Sequence, residues 1–129
     1  MEALKVRLQA DIEKTEQLVR ELLAENGFGV LTEIDVAKTL KEKLNVTRSP
    51  MKILGACNPA LANQALGVAP EVALLLPCNV VLEQQDDETQ VSIVDPREIM
   101  QFDSLKDVAN EAYQRLEKVK KALALSVGY

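Results

Sequence analysis

Two segments of the chain place a thiol beside an asparagine and a proline: Gly55-Ala56-Cys57-Asn58-Pro59 and Leu76-Pro77-Cys78-Asn79. The first reads as the junction of a strand and a helix. Amide groups at a helix start stabilise a thiolate and lower its pKa, and the same amides attract an anion. Asn58 and Asn79 each supply hydrogen-bond donors and an acceptor. With both thiols facing one cleft, sulfur transfer or redox exchange becomes chemically available, with Cys57 as candidate nucleophile and Cys78 as its partner. The opposing reading is structural. Free cysteine is among the most buried residue types and packs as a small hydrophobe. The spacing of 21 residues fits neither a Cys-x-x-Cys redox motif nor a common metal motif. Two functions stay open: a binding or interaction module with a small-ligand cleft near the cysteine segments, and a thiol-dependent protein using Cys57 and Cys78.

The stretch from Lys38 to Lys52 is basic within an acidic chain, with Lys38, Lys41, Lys43, Arg48 and Lys52 against a single acid, Glu42. It could form an anion subsite, with Arg48 and Lys52 at the rim of the cysteine cleft. Interspersed surface charge explains the same composition as a solvated face. The Asn45–Ser49 segment lacks the glycines and the lysine placement of a phosphate loop. Glu33 and Asp35 stand two apart on an expected strand. They read as an acid pair or, more simply, as a solvent-facing edge followed by a helix cap.

Composition narrows the chemistry. The 129 residues carry a formal net charge of -5 and no histidine. That removes a histidine base and the commonest metal ligand, so neither a metal nor a cofactor is expected. An acidic chain gains little from phosphate backbones, and 3% aromatics provide few stacking platforms, so nucleic acid is not an expected partner. No apolar run approaches the roughly 18 residues of a membrane span. The opening residues alternate with Lys5 and Arg7 rather than forming an apolar signal, so the expected compartment is the cytoplasm, with reduced thiols.

The elements that would position these groups follow from periodicity. Leu4, Val6 and Leu8 alternate with polar residues as in a half-buried strand. Asp11 caps a helix whose face carries Ile12, Val19, Leu22 and Leu23, and Asn26-Gly27 stops it. A strand over 30–34 precedes a short helix capped by Asp35, with Val36, Leu40 and Leu44 on one face. Met51 to Cys57 reads as a strand, and Asn58-Pro59 starts a helix that runs to Leu66. Residues 68–76 read as either a helical turn or an extended segment. Strands over 78–84 and 90–94 form a hairpin around Asp86, Asp87 and Glu88. Without Asn-Gly or Asp-Gly, its loop is expected to exceed two residues. Asp95-Pro96-Arg97 reads as a turn. Ser104 and Asp107 have capping-box spacing, and a long apolar stripe from Leu105 to Leu123 follows.

Several of these stretches together resemble the domain-of-unknown-function family three-hundred-and-two. They are Glu33-Ile34-Asp35, Leu40 to Leu44, Lys52 to Pro59, Leu74 to Val81, and Val94-Asp95-Pro96. The likeness runs from the first strand to the last helix, and the cysteine segments are its most specific parts. The resemblance implies a small α+β domain that pairs as a homodimer, and it implies no assigned activity. The element order independently predicts one α+β domain over 1–129, with two layers, a mixed sheet of about five strands and helices on one face. A three-layer doubly wound α/β arrangement is the alternative. Leu31, Leu74 and Leu75 are the residues expected to remain as apolar surface for a second copy. A small or anionic molecule is the other expected partner.

Overall fold

The structure, a computed structural model, describes residues 3–126. Its strands are β1 (Ala3–Leu8), β2 (Gly29–Asp35), β3 (Met51–Cys57), β4 (Cys78–Gln85) and β5 (Glu88–Val94). Its α-helices are α1 (Ile12–Glu25), α2 (Val36–Leu44), α3 (Pro59–Val68), α4 (Pro96–Ile99) and α5 (Lys106–Ser126). The strands form one open sheet in the order β1-β5-β4-β3-β2. The α+β class and the five strands match the sequence reading. The pairing is antiparallel throughout rather than mixed. The physical reason is the long first crossover. Helix α1 carries the chain from one edge strand to the other, so β1 and β2 never become neighbours and no parallel pair arises.

Alternation decides which face is buried. Leu4 and Leu8, Leu54 and Ala56, Val80 and Leu82, and Val91 and Ile93 point to one side. There they pack with Ile12, Val19 and Leu23 of α1 and Leu116, Val119 and Leu123 of α5. Each fully buried Leu, Ile or Val contributes roughly 1.5–3 kcal/mol of transfer free energy. A helix cap contributes about 1 kcal/mol. Packing therefore holds the helices down, and the caps set where they begin. A second apolar cluster joins α3, the 3₁₀ helix Pro70–Leu75, and the start of α5 through Ala65, Val72, Leu105 and Val108. Residues 68–76 thus resolve as the end of α3 and a 3₁₀ helix.

Three expected caps form. Asp11 accepts from the Lys14 amide, Asp35 from the Lys38 amide and Asn58 from the Leu61 amide. The stop of α1 also forms, with Gly27 at φ 86 and the Phe28 amide donating to the Leu23 carbonyl at 2.8 Å. Two local expectations are corrected. The β4–β5 loop has two residues, because Asp86 itself takes the left-handed conformation at φ 58, which aspartate tolerates better than most residues. The Ser104–Asp107 capping box is replaced by the 3₁₀ turn Asp103–Leu105, which leads into α5 without a side-chain cap. Among the described residues no helix is long and apolar enough to cross a membrane.

Candidate functional site

The register separates the two cysteines. Ala56, not Cys57, pairs with Cys78 across β3 and β4. Cys78 shares the parity of Val80 and Leu82 and faces the helices. Cys57 shares the parity of Ile53 and Gly55 and faces the other side. Cys78 is 5% exposed, and its thiol is pushed up to about 11 by burial, with a further contribution from nearby Cys57. Burial also pushes the Cys57 thiol up from its ordinary value. Both are free thiols, and neither has the depressed pKa of an activated nucleophile.

The asparagines also diverge. Asn58 is buried, and its side-chain oxygen is taken by the Leu61 amide at 3.1 Å. Its amide nitrogen lies over Gly27: a β-carbon there would stand 2.9 Å from it and 3.0 Å from Arg115 Nη1. Asn58 therefore joins the end of α1 to the start of α3. Asn79 is exposed, on the sheet face opposite the α1–α5 layer. On that face Pro77 and Thr32 close over Gly55, where an added β-carbon would come within 2.7 Å of Pro77 Cγ and collide with Thr32. Glycine is needed at position 55 for this close approach.

Arg48 and Lys52 sit far from the cysteines. Lys52 lies five steps along the strand from Cys57, about 17 Å at the usual rise. The Lys52 ammonium donates to Glu16 at 2.8 Å and to Glu33 at 3.0 Å, and Arg20 joins both acids. Burial alone would raise the Glu16 pKa, but the hydrogen bonds from Lys52 and Arg20 outweigh it and hold Glu16 low. The two acids raise Lys52. Arg48 pairs with Glu83. Arg48 also joins Asp35, Lys38, Lys41 and Thr47 around a wide, open basic depression beside α2.

A cleft of about 330 Å³ opens on the exposed sheet face beside the second cysteine segment. Its floor includes Val81 and Ser92, which are cross-strand neighbours, and Asn79. Leu75, Pro77 and Ile99 form its walls. The cleft takes Pro77 and Asn79 from the segment but neither thiol. Strand parity explains this: residues 77, 79 and 81 point outward while Cys78 points in.

A further construction centres on α4. Asp95 is 5% exposed, accepts from the Arg97 amide at 2.9 Å and receives the Arg97 guanidinium on both oxygens. Burial would raise the Asp95 pKa, and the Arg97 hydrogen bonds and charge reverse that, holding it below the usual carboxylate range. The guanidinium lies 3.5 Å from the centre of the Tyr113 ring. Sequence reading identified the Asp95-Pro96-Arg97 turn but not Tyr113, which only the docking of α5 brings there.

Comparison with known proteins agrees with this architecture. The family described as "Domain of unknown function DUF302" matches residues 4–123, and the chain belongs to that family. A solved structure titled "Crystal structure of uncharacterized conserved protein DUF302 from Bacillus stearothermophilus" is similar at 29% identity, with a TM-score of 0.86. The match covers 95% of this chain and 98% of that one. No curated protein matches the chain.

Proposed function

We propose that the chain is a binding module whose ligand site is the cleft on the exposed sheet face beside the second cysteine segment. The observation that carries this reading is the lining: an apolar surface with two polar groups, the Asn79 amide and the Ser92 hydroxyl, on a rigid sheet. At about 330 Å³ the space is at the lower end of ligand pockets, which generally combine apolar walls with a few placed polar groups. The ligand class is a small, mainly apolar molecule with one hydrogen-bonding group. The raised thiol pKa values and the inward direction of Cys78 favour binding over thiol chemistry. Unbridged cysteines suit a reducing compartment such as the cytoplasm.

A fragment screen followed by amide-resolved NMR tests the reading. Hits should move the amides of residues 79–81 and 92–94, and Val81→Trp, which fills the cleft, should abolish those shifts. Hits confined to other surfaces, or insensitive to Val81→Trp, refute it. Pairing of two copies is a second reading, supported by three large apolar side chains at the surface. Of the residues expected there, Leu74 is 88% exposed and Leu31 68%, joined by Leu44 at 67%, while Leu75 is instead half-buried against the second apolar cluster. A stable pair would bury upwards of about 1,000 Å², and sedimentation that finds only monomer at micromolar concentration excludes it.

A further inference from the structure

We propose a second binding site, for a single-ring aromatic carboxylate, in the cleft between α4 and the first turns of α5. This site stands independently of the sheet-face cleft, with α4 between them: Ile99 lines one cleft, and Arg97 and Met100 line the other.

The cleft holds about 200 Å³, below the usual range for drug-sized ligands and suited to one ring. Met100 and Ala109 are buried residues in its wall, and Phe102 stands beside them with 42% of its surface exposed. An exposed aromatic is notable in a chain whose aromatics amount to 3%. Arg97 and Lys106 supply positive charge, and Asn110 supplies an amide.

Arg97 is held in place before any ligand arrives. Nε and Nη2 are committed to Asp95, Tyr113 supports the plane from one side, and Nη1 carries the donors outside that fork. Such a group loses little side-chain entropy on binding, because folding has already fixed it. Lys106 forms no ion pair with the described residues. Asp103 also lines the cleft and Asp95 is paired to Arg97, so these two acids offset much of the positive charge. The carboxylate therefore docks by hydrogen bonds from Arg97 and Asn110, with Lys106 as an electrostatic anchor. Its ring fills the apolar wall against Phe102.

The test uses the full chain and sodium benzoate, with benzamide as the neutral isostere, in an amide-resolved NMR titration at low salt. Benzoate should give saturable shifts across residues 100–110 at millimolar concentration, and benzamide should bind more weakly. Lys106→Gln is a surface change that leaves the Asp95–Arg97 fork intact. It should weaken benzoate about three- to fivefold, the scale of an exposed charge contact, and leave benzamide unchanged. Phe102→Ala should weaken both. Absence of saturable shifts in residues 100–110, equal binding of benzamide, or indifference to Lys106→Gln overturns the proposal.

Discussion

Placing Cys78 on the helix-facing side of the sheet makes its reactivity a sharp test of the fold. The perturbation is a disulfide reagent such as DTNB, applied at pH 8 to a Cys57→Ser variant so that Cys78 reports alone. With a pKa pushed up to about 11 from an ordinary 9.0, the thiolate fraction at pH 8 falls roughly a hundredfold. A more basic thiolate is also a better nucleophile, which returns a factor of roughly 6–10 at a Brønsted slope of 0.4–0.5. Ionisation alone therefore slows the reaction only about 10- to 16-fold relative to an unshifted thiol.

Burial contributes the larger part. A thiol 5% exposed reacts only through opening of the strand end or of the layer above it. The expected result is native labelling slower than that of a free thiol by far more than the ionisation factor, restored by denaturant. The converse variant, Cys78→Ser, leaves the half-exposed Cys57 to label faster. Native Cys78 labelling within a fewfold of an unfolded control would refute both the assigned face and the argument against thiol chemistry.

Two further outcomes follow from buried polar groups. The Thr15 hydroxyl is buried in α1 without a partner among the described residues, so Thr15→Val keeps the shape, removes the unpaired group and should stabilise the fold by about 1 kcal/mol in urea unfolding; loss of stability would show that the hydroxyl is satisfied. Asp95 and Glu16 have lowered folded pKa values, so the stability they contribute is present above the unfolded carboxylate range near pH 4 and is lost as pH falls through the folded values. Asp95→Asn should flatten that acid loss in a pH series of urea midpoints, and an unchanged slope would refute the role given to Arg97.

Much of the local structure was legible because local rules produced it. Asp11, Asp35 and Asn58 cap helices through their own side chains, and Gly27 ends α1 in the conformation glycine accepts most readily. The reading of the hairpin loop failed because a left-handed aspartate did the work assigned to glycine. The site was less legible because it depends on pairing. Lys52 shares the parity of Leu54 and Ala56, so period-two reasoning already directs it to the helix side, away from Cys57. Whether Cys78 sits opposite Cys57 or opposite Ala56 is a one-residue difference in register, and that difference decides whether two thiols share a face. Register comes from the whole sheet, in which burying Leu54, Val80, Leu82, Val91 and Ile93 together outweighs anything two thiols contribute. The same choice that buries Cys78 turns Asn79 outward. The second cysteine segment therefore borders the proposed cleft while its thiol faces away, and Pro77 and Asn79 rather than Cys78 line that cleft.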